Sequence, residues 1–239
     1  VSPVMSKIFE SCLLLKFEPF LYSSELQLGF KKGVGCGPAL FMFQQVVKYF
    51  TSRNSTMFVT AVDASKAFDR LDHCKLISKL RDRNLPSCFI RVISCWYSKL
   101  YSVVRWNSVY SSEYKVLAGV RQGGILSPIL FNVYVDKLVD ELKNSGYGCY
   151  IGRTFLGCIM YADALLLLSP SVNGMPSMLD LCSAYGSLHG IIFNAAKTAI
   201  MSVGRSIVHK PLMFIAKHEI AWVDRYKYLG VMFLARSNL

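Results

Sequence analysis

The chain predicts an α+β fold: an antiparallel sheet backed by helices. Three observations carry this. Met57 to Val62 is a β-branched and aromatic run that ends on a carboxylate, Asp63. Cys158 to Ser169 holds two apolar runs that flank a two-residue step, with the single charge of Asp163 in the middle, the pattern of a tight hairpin between buried strands. The order of one strand, helices, a hairpin, a helix, a second hairpin and a helix then suits one sheet with helices on one face.

In chain order, Val4, Met5, Ile8, Phe9, Cys12 and Leu13 recur at helical spacing, with Lys7, Glu10 and Ser11 on the other side, until Pro19 stops the pattern. Gly29 to Pro38 is a loop by its glycines. On its residues alone it is either a flexible basic turn or a backbone through which Lys31 and Lys32 approach phosphates. Ala39 to Phe50 reads as a second helix, and Asn54-Ser55 turns the chain into the Asp63 strand. Asp72 caps a helix to about Asn84, with Leu76, Ile77 and Leu80 inward and Lys75, Lys79, Arg81 and Arg83 mostly outward. Ser87 caps another carrying Phe89, Ile93, Trp96 and Tyr97, aromatic residues that suit a core.

Tyr101 to Trp106 and Tyr110 to Leu117 form a hairpin about Asn107-Ser108. The helix after it has Ser127 as N-cap, Pro128 in its first turn and Gly146 as its stop, with Leu130, Val133, Leu138, Val139 and Leu142 inward. Short strands pair about Gly152-Arg153 before the Asp163 hairpin. An amphipathic helix from about Met178 closes at Gly190, and strands follow at Ala199 to Val203, Leu212 to Ala216 and Tyr226 to Phe233.

Composition narrows the function classes. The chain has 239 residues, 53% of them hydrophobic and 18% charged, so it is globular and not disordered. A formal charge of +12 points to a polyanionic partner, unless the chain is simply a basic globular protein. Eight cysteines without a Cys-x-x-Cys pair indicate neither zinc nor a disulfide framework, and they suit a reducing compartment. No run approaches the roughly 18 apolar residues of a membrane span. The expectation is a soluble intracellular protein with no membrane partner; nucleus or cytoplasm, and oligomeric state, stay open.

Asp163 is a lone carboxylate inside an apolar run, and burying it unpartnered costs several kcal/mol. Asp63 stands at the end of another strand. If the two strands are neighbours, their acids converge. Two such acids without His or Cys around them suit a hard ion such as Mg²⁺ rather than zinc.

These residues resemble the reverse transcriptases of non-LTR (LINE-like) retrotransposons. Asp63-Ala-Ser-Lys-Ala-Phe-Asp69 resembles the family's first palm motif and Gly119-Val-Arg-Gln-Gly-Gly-Ile-Leu-Ser-Pro128 its second. Tyr161-Ala-Asp-Ala164 resembles the third, usually Tyr-Ala-Asp-Asp. Gly190 to Lys197 and Tyr228-Leu229-Gly230 resemble the fourth and fifth. The resemblance runs from about Ser6 to Phe233 in the family's order.

The resemblance implies a right-hand polymerase: partial fingers over 1–55, palm over 56–204, and the end of the palm with the start of a thumb over 205–239. It implies RNA-directed DNA polymerisation by two-metal transfer, with an RNA template, a DNA primer and deoxynucleoside triphosphates as partners. Asp63 and Asp163 match the two principal metal ligands for Mg²⁺, and Lys197 matches a lysine near the leaving pyrophosphate. Phe68 resembles a steric gate against a 2′-hydroxyl, though core packing explains it equally. Asp69 suits a structural hydrogen-bond acceptor. Gln122 and Gly123 would approach the incoming nucleotide. Lys31, Lys32, Tyr161, Tyr228, Leu229 and Gly230 would contact nucleic acid, as would Tyr226. By the resemblance, fingers strands that grip the triphosphate would lie upstream of Val1, so the chain is expected to be truncated.

One departure matters. Ala164 stands where the family carries a second Asp, which removes a ligand oxygen and its charge and predicts weakened metal binding and impaired polymerisation. The alternative is a catalytically dead remnant that binds primer and template through its basic surface.

Overall fold

The computed structural model describes residues 4–205, 207 and 209–235. In chain order its elements are α1 (Val4–Phe17), a 3₁₀ turn (Glu18–Phe20), α2 (Cys36–Thr51), β1 (Met57–Asp63), a second 3₁₀ turn (Ala67–Arg70), α3 (His73–Asp82) and α4 (Ser87–Ser98). Four two-residue strands follow, β2 (Tyr101–Ser102), β3 (Arg105–Trp106), β4 (Val109–Tyr110) and β5 (Tyr114–Lys115), and then α5 (Ser127–Asn144). The remainder is β6 (Tyr150–Ile151), β7 (Thr154–Phe155), β8 (Cys158–Tyr161), β9 (Ala164–Ser169), α6 (Gly174–His189), β10 (Ala199–Val203), β11 (Met213–Ile215), β12 (His218–Trp222), β13 (Arg225–Tyr228) and β14 (Val231–Leu234).

Two compact units divide the chain. One takes Val1–Tyr22 and Lys66–Tyr134, the other Ser23–Ser65 and Val135–Leu239. The second is built on a six-stranded sheet of order β11-β12-β10-β1-β9-β8. Its pairs are antiparallel except β10 with β12, which run parallel through Ala199↔Ala221 and Ile200↔Trp222. β1 is central and buried from Met57 to Val62 because both neighbours pair with it and, Thr60 apart, those residues are apolar on both faces. Met57, Val59 and Ala61 meet Leu166 and Leu168 of β9 and Ala39, Phe43, Val46 and Val47 of α2 in one core. α6 packs on the other face, where burial and the neighbouring Cys182 hold the Cys158 thiol well above its usual range.

In the first unit α1 departs from expectation. Val4, Met5, Ile8, Phe9 and Cys12 are exposed, while Glu10, Leu13 and Phe17 are buried. Glu10 turns inward because it has partners there, Arg121 Nη1 at 3.1 Å and the backbone N–H of Leu126 at 3.0 Å. A buried carboxylate so met outweighs the apolar face that periodicity favours. Lys79 of α3, expected outward, is buried with its ammonium 5.5 Å from the Tyr134 ring. Asp72 caps α3 as expected, accepting from the Lys75 N–H at 2.9 Å.

Other differences are local. α2 starts at Cys36 rather than Ala39, since Pro38 falls in the first turn, where its missing N–H has no intrahelical partner to lose. α4 is preceded by Pro86, whose carbonyl accepts from Phe89 N–H, so Ser87 is helical and not the cap. Likewise Leu126 supplies the first carbonyl of α5, and the Ser127 hydroxyl donates to the Arg121 carbonyl at 2.6 Å. α5 is buried on more sides than the apolar stripe predicts: Phe131, Asn132, Tyr134, Val135 and Asp136 are also inside. The single strand expected from Tyr226 to Phe233 is the hairpin β13–β14, turning at Leu229 (φ +46°) and Gly230 (φ +86°), a two-residue turn with both central φ positive. β12 carried no sequence signal; of its five residues only Ile220 is buried. All eight cysteines are free. No helix among the described residues is long and apolar enough to cross a membrane.

Candidate active site

The site is assembled where β1 ends. Asp63 pairs in register with Ala164, the first residue of β9, and Asp163 occupies the turn immediately before it. The β8–β9 hairpin has only Ala162 and Asp163 between its strands, with Ala162 at φ +58°. Both carboxylates line a cavity of about 70 Å³ together with Ala164, Tyr226 and Tyr228. The two strands are neighbours, the condition on which the sequence made their acids converge, and both residues line one cavity.

The electrostatics follow from this placement. Burial raises the Asp163 carboxyl above the usual carboxylate range, its own backbone N–H opposes this, the negative charge of Asp63 adds to the rise, and Lys197 offsets part of it. Lys197 Nζ lies 3.9 Å from Asp63 Oδ2. The lysine reaches there because residues 191–198 fold along the end of β1. Ser65 N–H donates to the Ile192 carbonyl and Asn194 N–H to the Asp63 carbonyl, both at 2.8 Å, and Asp63 N–H meets Thr198 Oγ1 at 3.4 Å.

The Asp163 turn is held from outside by a residue the sequence reading passed over. Gln27 is fully buried. Its Oε1 accepts from the N–H groups of Ala162 and Gly29, each at 3.1 Å, and its Nε2 donates to the Ala162 carbonyl at 3.2 Å. Leu28 N–H and the Met160 carbonyl, and Met160 N–H and the Leu26 carbonyl, bond at 2.8 Å, so residues 26–28 add a short extra edge beside β8. A Cβ at Gly29 would fall on the Ala162 backbone nitrogen, which is why the segment needs glycine there.

The remaining expected residues divide between the units. In the second, Tyr161 is half-buried and bonded to the Cys36 thiol, which raises its phenol. Tyr228 is buried and its hydroxyl has no hydrogen-bond partner among the described residues. Burial raises the Tyr226 phenol, as does the charge of Asp63. Leu229 and Gly230 form the turn that follows. Lys31 donates to the carbonyls of Ser23 (3.2 Å) and Ser24 (2.6 Å), and burial lowers its pKa, while Lys32 is exposed.

In the first unit, Phe68 is half-buried and stacked on Phe131, with centroids 4.2 Å apart. Gln122 and Gly123 are exposed, and Gln122 Nε2 donates to Asp69 Oδ1 at 3.4 Å. Both Gln122 and Asp69 line a cavity of about 600 Å³. It is far larger than the cavity at Asp63, but the paired acids, not the volume, mark where metal chemistry fits. Gly119 (φ +90°) packs against the Asp69 backbone, where a Cβ would come within 2.9 Å of the carbonyl oxygen.

The donor set suits hard divalent cations. Two carboxylates on adjacent strands repel each other when both are ionised, and a cation between them relieves that repulsion. No cluster of three or more His, Cys, Asp or Glu occurs among the described residues, so the pair stands without a third acid.

Comparison with known proteins places the chain. The model of the family described as reverse transcriptase (RNA-dependent DNA polymerase) matches residues 1–233. The Pol polyprotein of the type-2 retrotransposable element R2DM of Drosophila melanogaster is 28% identical over 222 residues, covering 89% of this chain and 21% of that protein. The RNA-directed DNA polymerase from mobile element jockey of Drosophila funebris is 27% identical over 177 residues, 72% of this chain and 19% of that protein. The chain spans about a fifth of the length of each of these two relatives. Among solved structures, apo telomerase of Candida tropicalis truncated from its C-terminal domain superposes with a TM-score of 0.62 at 12% identity, over 96% of this chain and 44% of that one. Telomerase of Candida albicans with a TWJ fragment of telomeric RNA gives 0.56 at 16% identity, over 90% and 35%. The sheet and helices described above are thus a reverse transcriptase palm-like α+β fold, and the chain belongs to the reverse transcriptase (RNA-dependent DNA polymerase) family as a domain of the non-LTR retrotransposon kind.

Proposed function

We propose that this chain is the polymerase core of an RNA-directed DNA polymerase, transferring a deoxynucleotidyl group to a DNA primer on an RNA template. The observation that carries the proposal is the convergence of Asp63 and Asp163 across β1 and β9 with Lys197 beside them. In the reaction the primer 3′-hydroxyl oxygen bonds to the α-phosphorus of the triphosphate, the bond to the bridging oxygen breaks, pyrophosphate leaves and the hydroxyl proton passes to solvent.

Asp63 and Asp163 are the residues that would hold Mg²⁺, two ions in this family. Ions bound there supply Lewis acidity and charge neutralisation for in-line phosphoryl transfer. Lys197, mostly exposed, offers its ammonium to the leaving pyrophosphate. Gln122 and Gly123 approach the nucleotide, and Phe68 excludes a 2′-hydroxyl, its ring held in place by Phe131. Lys32, Tyr161, Leu229 and Gly230 are placed along the nucleic acid. Lys31 orders its own loop through two carbonyls, and Tyr228 lines the cavity that Asp63 and Asp163 share. Residues 1–55 serve as part of the fingers, 56–204 as palm and 205–239 as the palm's end and the thumb's beginning. The relatives named as RNA-directed DNA polymerases and the telomerase bound to telomeric RNA support nucleic acid as the partner.

With alanine at 164 the pair carries one charge fewer than the family's usual set, so turnover is slow. The test is extension of a labelled DNA primer on RNA with Mg²⁺: slow incorporation is expected from the chain as it stands and none from Asp63→Asn. Extension equal in the two proteins would overturn the assignment.

A further inference from the structure

We propose that the hairpin of residues 100–117 is a stacking platform for an unpaired template strand; the proposal rests on the polymerase reading above. Between α4 and the loop of Gly119–Ser127 the chain runs out and back in two pieces of ladder. Tyr101 pairs with Lys115 and Ser102 with Tyr114, then Arg105 pairs with Tyr110 and Trp106 with Val109. Ser111 N–H bonds the Val104 carbonyl at 2.9 Å between the pieces, and Asn107, at φ +52°, makes the turn.

The outer ladder of this ribbon is largely open to solvent. Trp106 is 77% exposed, Tyr110 60%, Tyr101 56% and Tyr114 47%, with Val104 and Val109 also open. A two-stranded ribbon without a packed face is marginal in water, and exposed rings on it mark a surface that another molecule covers. Neighbours along a strand alternate in face, so Trp106 projects away from Tyr110, and Tyr114 away from Tyr101.

Charge identifies that molecule. Lys99, Arg105 and Lys115 flank the rings against a single acid, Glu113, in a chain of net charge +12. Residues directly opposite in an antiparallel pair share a face, so Arg105 projects with Tyr110 and Lys115 with Tyr101. The Arg105 side chain is anchored by Nε to the Asn107 carbonyl at 3.1 Å and lies 5.7 Å from the Tyr110 ring. Tyr110 beside an anchored guanidinium and Tyr101 beside Lys115 suit unstacked bases and their phosphates, since every base offers a π-face and every linkage a charge.

Continuity fixes which strand it is. Tyr101, Ser102 and Tyr114 at the base of the hairpin line the same 600 Å³ cavity as Gln122, the residue proposed to meet the nucleotide. A single strand stacked on the hairpin therefore leads to the Gln122 loop, as unpaired template must.

The test uses fluorescence anisotropy on the whole chain with labelled oligouridylate and oligothymidylate of about 16 nucleotides, the upper site size of such platforms, and a blunt RNA–DNA duplex of equal length. Tyr101→Ala and Tyr110→Ala should each weaken single-strand affinity at least about fivefold, with duplex affinity unchanged, while Trp106→Ala on the other face should leave both unchanged. Loss on both oligonucleotides assigns the platform to either chemistry, and loss on the oligouridylate alone assigns it to RNA. Tyr110→Phe keeps the ring and should keep the affinity, and Arg105→Gln should weaken it without removing a ring, readings that stand even if an alanine variant folds poorly. Wild-type binding with no loss in any variant overturns the platform and leaves the polymerase reading standing. A variant that changes only self-association shows the patch to be a protein interface and also overturns it. Failure of the parent chain to bind any of the three probes overturns both readings.

Discussion

Asp63 of β1 stands directly opposite Ala164 of β9. Directly opposed residues share a face with Cβ atoms about 5 Å apart, so any side chain at 164 projects beside the first carboxylate. Ala164→Asp would place a third acid there. Without divalent cations the extra like charge should lower the melting temperature, and Mg²⁺ should restore it. With Mg²⁺ primer extension should rise about a hundredfold or more, the usual scale for one electrostatic catalytic group. Calorimetry with and without Mg²⁺, beside a primer-extension assay, checks both halves; an extension rate indifferent to the substitution would sink the role assigned to position 164.

Asp163 gives the protein a pH signature when divalent cations are chelated. Burial raises its carboxyl and the charge of Asp63 raises it further, against its own backbone N–H and Lys197. The native state thus holds a proton that the unfolded chain has released, so stability falls as pH rises from the ordinary carboxylate range through the raised native value. Denaturant midpoints between about pH 4 and about pH 7 should decline in the parent chain and decline less in Asp163→Asn. Asp63→Asn should shift the decline to lower pH. Equal slopes in all three proteins would contradict the electrostatic coupling of the two acids.

What was legible in the sequence was local. The Asp163 hairpin could be read because two apolar runs around a two-residue step leave few alternatives, whereas the pairing of β1 with β9 stayed a condition, since buried strands need neighbours but do not name them. α1 could not be read in the same way. Its apolar spacing is real, but the face that turns inward is chosen by Arg121, 111 residues away in sequence, which draws Glu10 inside. Ser87 and Ser127 look like caps, yet in each case a preceding carbonyl already opens the helix. Tyr226 to Phe233 concealed a turn because Leu229 is an unusual residue for positive φ, and only Gly230 hinted at it. Gln27 left the faintest trace, an amide between two leucines just before a glycine, and its role depends on a turn 135 residues later.

Gln27 carries the next prediction. Its amide satisfies three backbone groups, the N–H of Gly29 and both the N–H and the carbonyl of Ala162, in a fully buried position. Gln27→Leu keeps the volume roughly and removes all three of these bonds, at about 1–3 kcal/mol for each buried group that finds no other partner. Gln27→Glu retains an acceptor for the two N–H groups when ionised but meets the Ala162 carbonyl with another oxygen. Both should destabilise the chain in urea titrations, and hydrogen exchange at Ala162 should quicken in Gln27→Leu. An Ala162 amide as protected as in the parent would show that the turn stands without the clamp.

Glu10 and Arg121 make a buried ion pair, with side-chain exposures of 3% and 14% and Nη1 to Oε1 at 3.1 Å. Arg121 also lies 4.3 Å from the Trp96 ring, and Glu10 Oε2 takes the Leu126 N–H, so the carboxylate ties α1 to both ends of the loop that contains Gln122. Removing one partner leaves the other charge buried. Glu10→Ala should therefore cost roughly 3–5 kcal/mol, and Arg121→Met a comparable amount. The double variant removes both charges, so its cost should fall well short of the sum, a coupling that a double-mutant cycle in urea measures directly. Glu10→Gln keeps the acceptor for Leu126 while losing the charge. It should fold with intermediate stability and raise the KM for deoxynucleotide more than it lowers kcat, because it loosens the loop that places Gln122. Strict additivity in the cycle would mean that the two residues act independently and that the loop is held by other contacts.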